Sequence, residues 1–290
     1  MAQRQTILIT GGTGQVGFEL QRSLMLHGDI LAPSRNELNL VEEQAVADYL
    51  QKHQPDLIVN AAAYTAVDKA EGEAELAQRL NAKRPEQLAN WCQTQNKPLI
   101  HYSSDYVYPG IGTQPWQEDS ATGPVNTYGQ SKLDGDQAII NSGCQYLIFR
   151  TSWVYSARGH NFMKTMIKLA QDKEVLKIVN DQIGAPTSAR LIAEVTRLAV
   201  ERKLSSGIYH LAPRGETSWQ GFAQAIFEQA RQAGAELKIK QVDGIPTRDY
   251  PTPAARPLNS RLSLNKLEQA MNIQLPNWQQ SLDLTVKECI

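Results

Sequence analysis

The chain has 290 residues, with 29 Lys and Arg against 30 Asp and Glu and a formal net charge of −1. That length suits one large core, or a nucleotide domain carrying a smaller second lobe, and the near-neutral balance lacks the basic field that nucleic acid or a membrane surface would require. The expected partner is a small molecule. No apolar stretch approaches the ~18 residues of a membrane span. The first residues, Met1 to Gln5, show no secretory apolar region, and Cys92, Cys144 and Cys289 are odd in number and far apart. Both features suit a cytoplasmic protein with reduced thiols.

Taken in chain order, Thr6-Ile7-Leu8-Ile9-Thr10 predicts a short buried strand, with Ile7 to Thr10 as its core, and Gly11-Gly12-Thr13-Gly14-Gln15-Val16-Gly17 follows at once. Val16 then opens a helical pattern that ends near His27-Gly28. Strand, glycine loop and helix in that order predict a dinucleotide site, because glycines let the backbone approach a pyrophosphate and the helix N-terminus offers unpaired N–H groups. Two registers fit: Gly12, Gly14 and Gly17 match G-x-G-x-x-G, whereas Gly11, Gly14 and Gly17 match the G-x-x-G-x-x-G of short-chain reductases.

A second strand is predicted at Ile30 to Pro33, where an acidic residue would bind an NAD ribose and repel a 2′-phosphate. The chain has Pro33-Ser34-Arg35 there, so a guanidinium and a hydroxyl favour NADPH; Asp29 and Glu37 are the alternatives that would favour NADH. Further strands are predicted at Leu57 to Asn60, Leu99 to Ser103 and Tyr146 to Arg150, alternating with helical patterns as in a Rossmann-type doubly wound parallel α/β sheet. Ligands of such sheets bind at the C-terminal strand ends. The small side chains of Ala61-Ala62-Ala63-Tyr64 would therefore face the cofactor, and Ser103, Ser104 and Asp105 would reach the same edge.

Tyr128 and Lys132 stand four residues apart at the start of a predicted helix, which places both on one face. A lysine cation beside a phenol favours the phenolate, and such a pair can exchange a proton with a carbonyl or hydroxyl. With Ser104 returning to the same edge, a Ser–Tyr–Lys constellation is predicted. Leu176 to Val179 and Gly207 to Leu211 read as strands continuing the sheet, and Phe162 to Gln171, Ser188 to Arg202 and Trp219 to Gln232 as helices. Residues 1–150 then form the dinucleotide-binding domain, and 151–290 mainly an interleaved substrate lobe. His27, His53, His101, His160 and His210 show no metal-ligand spacing.

These motifs in this order resemble the extended short-chain dehydrogenase/reductase family. Ala66 to Glu71, Ser103 to Val107, Arg150 to Tyr155, Asn180 to Thr187 and Arg256 to Ser260 are similar in particular to its dTDP-4-dehydrorhamnose reductase family. The resemblance implies NADPH-dependent reduction of the C4 keto group of a dTDP-4-dehydro-6-deoxy sugar, with NADH as a second possible cofactor. Tyr128 would donate the proton, Lys132 would hold the nicotinamide ribose, Ser104 would polarise the carbonyl, and Asp105 would tune the tyrosine or hold a sugar hydroxyl. It places Gly11, Gly14, Gln15, Val16, Gly17, Ser34, Arg35, Asn39, Leu40, Ala61 to Tyr64 and Ser103 on the cofactor. Thr65, Val67, Ser104, Asp105, Tyr106, Tyr128, Trp153 and Arg256 would meet the nucleotide sugar, with Arg248, Arg261, Asn161, Phe162 and Lys164 as lesser candidates.

Sugar-nucleotide dehydratases of this family carry an Asp-Glu pair where this chain has Ser104-Asp105, so ketone reduction is implied rather than elimination. Some reductases of the family pair subunits around Mg2+ through glutamates after Pro186-Thr187. Here that helix carries Arg190 and Arg197 with Glu194, which implies no metal and a monomer or weak homodimer. Two other readings stand beside this one. One is a reductase of a different 4-keto sugar nucleotide, and the other a non-catalytic NADP-binding regulatory subunit resembling that of methionine adenosyltransferase.

Overall fold

The computed structural model describes residues 4–290. Its longer strands are β1 (Gln5–Thr10), β2 (Gly28–Leu31), β3 (Leu57–Asn60), β4 (Leu99–Ser104), β5 (Tyr146–Thr151), β6 (Val175–Val179), β7 (Gly207–His210) and β8 (Gln241–Ile245). Six of them form one sheet, ordered β7-β5-β4-β3-β1-β2, in which every neighbouring pair is parallel. Parallel pairing needs crossover connections, and the helices supply them: α1 (Gln15–Leu24), α2 (Glu43–His53), α3 (Arg84–Gln95) and α4 (Thr127–Ser142) follow β1 to β4 in turn. Farther along lie α5 (Phe162–Asp172), α6 (Ala189–Glu201), α7 (Trp219–Gln232) and α8 (Trp278–Lys287).

The alternation within β1 shows how the layers close. Ile7 and Ile9 join Leu20 and Leu24 of α1 and Ile192 and Val195 of α6 in one core. Leu8 points the other way and meets Val46, Leu88 and Ile139 of α2, α3 and α4. With both faces covered, β3 and β4 are buried at every position, including the polar residues from His101 to Ser104.

Two expectations about the sheet are corrected. Val175–Val179 does not extend it: β6 pairs with β8 in a separate two-stranded sheet, and only β7 joins the edge, beside β5. Periodicity marks an apolar strand but says nothing about its neighbour, and here the chain enters a second core before returning at β7. That core gathers Met163 and Ile167 of α5, Phe222 and Ile226 of α7, and Trp278 and Leu282 of α8. The second strand begins at Gly28 rather than Ile30, because Gly28 lies against Gln5, whose carbonyl oxygen would sit 2.2 Å from an added Cβ.

Candidate active site

Strand order reverses at β1, whose neighbours β2 and β3 lie on opposite sides, and ligands bind at such a switch point beyond the strands' C-terminal ends. A cleft of about 1040 Å³ opens there, between the sheet edge and the second lobe, and lies over Gly11, Gly14, Gln15 and Val16 after β1 and Ala61 to Ala63 after β3. The structure selects between the two glycine registers. Gly11 has φ +69, and a Cβ on it would lie 2.8 Å from the Ala62 backbone; one on Gly17 would lie 2.2 Å from the Gly11 carbonyl oxygen. Gly14 N–H donates to that same oxygen at 2.9 Å. Gly12 instead faces Ala32 and Gln21, away from the cleft, so Gly11, Gly14 and Gly17 form the working set.

These features fit a dinucleotide. No side chain caps α1 at Gly14, so its first N–H groups remain free for a pyrophosphate. Two hydroxyls buried in the cleft wall, Ser103 Oγ and Thr151 Oγ1, have no hydrogen-bond partner among the described residues. Gly17, Ser34, Arg35, Asn39, Leu40 and Tyr64, assigned to the cofactor from the sequence, do not line the cleft. Tyr64 is turned outward, where its hydroxyl donates to Glu73 at 2.8 Å, and the Leu40 carbonyl accepts from Arg84 at 2.6 Å. Arg35 is exposed. Its two acidic rivals are engaged: Asp29, at the opposite end of β2, pairs with Arg4 at 3.5 Å, and Glu37 accepts the Ser34 N–H at 2.8 Å.

Ser104 ends β4, and Tyr128 and Lys132 open α4, where Asn126 is the N-cap and accepts the Gly129 N–H at 2.7 Å. Gly129 allows α4 to lie close against the loop after β4, since a Cβ there would be 2.3 Å from the Tyr106 carbonyl oxygen. Tyr106 meets Tyr128 edge-on with ring centroids 5.4 Å apart. The Ser104 hydroxyl donates to Asp105 Oδ1 at 2.9 Å. Asp105 is buried with Oδ2 unpartnered, and burial raises its pKa to about 6 against the opposing hydroxyls of Ser260 and Ser104.

Lys132 does not leave the phenol with a low pKa, as its spacing suggested it would. Its ammonium turns beneath the cleft floor and donates to the Tyr102 carbonyl at 2.6 Å, with His101 Nε2 at 3.3 Å. Burial raises the Tyr128 pKa well above the ordinary phenol value, and the nearby Ser104 hydroxyl only partly offsets this. A phenol so placed keeps its proton at neutral pH, as a proton donor must. Burial also lowers the Lys132 pKa to about 8, opposed by Asp136 one helical turn on.

On the far side, Thr65, Val67, Tyr106, Trp153 and Arg256 line the cleft as the sequence predicted. Trp153 has φ +48, a strained setting for a bulky residue, and stacks on Trp219 at 3.8 Å between ring centroids. Arg256 pairs with Asp68 at 2.7 Å and lies 3.4 Å from the Tyr106 hydroxyl. The other two arginines point elsewhere: Arg261 is held by Glu216 at 2.6 Å, and Arg248 is exposed beside Asp249. Of the lesser candidates, Asn161 and Phe162 reach the cleft and Lys164 does not.

Sequence reasoning missed Thr151, Ser152, Asp68, Lys177 and Trp219, all of which line the cleft. The rule that found Ser103 and Ser104 at the end of β4 would have found Thr151 and Ser152 at the end of β5. Nothing in the sequence pointed to Trp219. Among the described residues no three His, Cys, Asp or Glu side chains gather to hold a metal ion. Glu194 accepts from Ser23 at 2.7 Å and pairs with Arg197 at 3.1 Å, and α6 ends on a second acid, Glu201.

Comparison with known proteins agrees with this arrangement. Residues 5–290 match the RmlD substrate binding domain family. The chain is 46% identical to dTDP-4-dehydrorhamnose reductase of Salmonella typhimurium over 94% of each chain, and 42% identical to that of Burkholderia thailandensis over 98% and 99%. Its fold matches dTDP-4-dehydrorhamnose reductase from Bacillus anthracis, solved in complex with NADP, with a TM-score of 0.92, 33% identity and coverage of 98% and 99%. The chain therefore belongs to the RmlD substrate binding domain family, that of the dTDP-4-dehydrorhamnose reductases.

Proposed function

We propose that the protein reduces the C4 keto group of dTDP-4-dehydrorhamnose to give dTDP-L-rhamnose, with NADPH as reductant. The observation that carries this is the meeting of Ser104, Asp105, Tyr128 and Lys132 in one cleft with the glycine loop of β1, in a chain 46% identical to a reductase of that name. The relatives' names favour it over a non-catalytic regulatory subunit and over other 4-keto sugars. We assign residues 1–150 mainly to the cofactor and 151–290 mainly to the sugar nucleotide, in a cytoplasmic monomer or weak homodimer.

In this reading the N-terminus of α1 and the Gly11 to Gly17 loop hold the pyrophosphate, Ala61 to Ala63 let the cofactor lie against the backbone, and Ser103 offers its unpartnered hydroxyl. Exposed Arg35, which makes no ion pair among the described residues, is free to meet the 2′-phosphate, with Ser34 beside it. When bound, NADPH supplies the hydride that reduces C4. The chain supplies the rest. Ser104 turns its hydroxyl from Asp105 to the carbonyl oxygen, and Tyr128 gives that oxygen a proton as the C=O π bond becomes C–H and O–H. The phenolate left behind is stabilised by the Lys132 cation and regains its proton from water. Trp153, Thr65, Val67, Tyr106 and Arg256 hold the sugar nucleotide.

Tyr128→Phe tests this directly: NADPH oxidation with dTDP-4-dehydrorhamnose should fall at least ~1,000-fold while NADPH binding stays nearly intact. Retained turnover would show that the proton comes from elsewhere.

A further inference from the structure

Four buried polar side chains run in a line beneath the cleft floor, each on a different element. Thr10 Oγ1, at the end of β1, lies 2.6 Å from the amide oxygen of Asn60 at the end of β3. The Asn60 amide nitrogen lies 3.0 Å from His101 Nδ1 on β4, and His101 Nε2 lies 3.3 Å from Lys132 Nζ on α4. At the other end the Ala62 N–H reaches Thr10 Oγ1 at 3.4 Å, in the loop that packs against Gly11. None of the four side chains takes part in the proton transfer above except Lys132, and none is more than 2% exposed.

We infer that His101 is a positioning residue for Lys132. Its Nε2 accepts one ammonium hydrogen, so that the cation stays charged and in place beside Tyr128, and the Asn60–Thr10 pair fixes the imidazole that does so. The inference rests on the reductase reading of the site.

An ammonium has three N–H donors and no acceptor. The Tyr102 carbonyl takes one at 2.6 Å and His101 takes a second, which leaves the third for the cleft. The groups facing Lys132 are few. Asp136, one turn on in α4, favours its charge but is itself paired with Arg150 of β5 at 3.0 Å; Tyr128 lies one turn back, and Asp105 lines the same cleft just past the end of β4. Burial, then the Lys132 charge, lowers the His101 pKa well below the ordinary value, so the imidazole stays neutral and keeps a lone pair for the lysine.

With Lys132 charged, Nε2 must accept, so the imidazole proton sits on Nδ1 and the Asn60 amide turns its oxygen toward it. The amide nitrogen then donates to Thr10 Oγ1. With Lys132 neutral, the donors run the other way along the same four groups. The chain thus ties the protonation state of Lys132 to the floor of the cofactor loop.

The test compares pH profiles of kcat/KM for NADPH oxidation in wild type, His101→Leu, His101→Gln and His101→Asn. In His101→Leu the lysine loses an acceptor, and the alkaline limb should move down by a pH unit or more, an activity loss of about tenfold at the wild-type limb. Glutamine can set an amide oxygen near the Nε2 position and should restore the limb, whereas asparagine reaches only the Nδ1 position and should not. An unshifted limb in His101→Leu, or equal loss in the Leu and Gln variants, would mark His101 as a core side chain and overturn the inference. Should His101→Leu fail to fold, Thr10→Val takes its place: it keeps the shape and removes the far hydroxyl, so a smaller shift in the same direction is expected, and no shift overturns the inference. An inactive wild type would instead overturn the reductase reading beneath it.

Discussion

Asp105 sets stability against activity within a single side chain. Its carboxyl pKa is raised from 3.8 to about 6 by burial, so folding favours the protonated form. The stabilisation that the proton gives is complete below the unfolded value near pH 4 and is lost as pH rises through about 6. At neutral pH the buried charge therefore costs about 3 kcal/mol. Asp105→Asn removes that cost, so thermal melts should show a Tm several degrees above wild type at pH 7.5 and no gain below pH 4, with turnover reduced. A Tm equal to wild type at pH 7.5 would mean that the carboxylate carries no penalty. Lys132 acts at the other end of the pH range. With its pKa lowered to about 8, kcat/KM should decline above that pH as the ammonium is lost, well before Tyr128 itself ionises.

Among the elements, the β1–α1 turn is the tightest part of the site. Gly17→Ala would set a methyl 2.2 Å from the Gly11 carbonyl oxygen, a backbone atom that yields only if the loop moves. NADPH affinity by titration should fall at least ~10-fold, about 1.4 kcal/mol, and unchanged affinity would show that the loop does not hold the pyrophosphate. The sequence made this turn legible because strand, glycines and helix are contiguous. For the same reason α7 is read correctly at both ends, Trp219 and Gln232. What the sequence hid lies in long-range pairing. The Tyr128–Lys132 spacing predicts a shared helix face, but Lys132 finds its hydrogen-bond partners on β4, 30 and 31 residues back, where no helical spacing points. Likewise β6 has the apolar pattern of a sheet strand, yet its neighbour is β8 and not β5. Trp219 reaches Trp153 only through the fold of the second lobe.

At the scale of the molecule, the cleft is closed by a C-terminal segment that crosses from the second lobe back to the first. Asn126 Nδ2 donates to the Ala255 carbonyl at 2.7 Å, and Arg256 pairs with Asp68 at 2.7 Å. A half-exposed ion pair of this kind contributes about 1 kcal/mol or less. Asp68→Ala should accordingly raise the KM for the sugar nucleotide by only several-fold and leave NADPH affinity unchanged; steady-state kinetics and NADPH titration separate the two, and an equal effect on both would place the segment over the cofactor instead. In the proposed reading the whole arrangement serves one reaction, a hydride delivered to C4 of a keto sugar with Tyr128 completing the alcohol. The most direct measurement supplies NADPH deuterated at the transferable position together with dTDP-4-dehydrorhamnose and locates the label by NMR. Deuterium at C4 of dTDP-L-rhamnose is the predicted result, and unconsumed cofactor or label at any other carbon would contradict it.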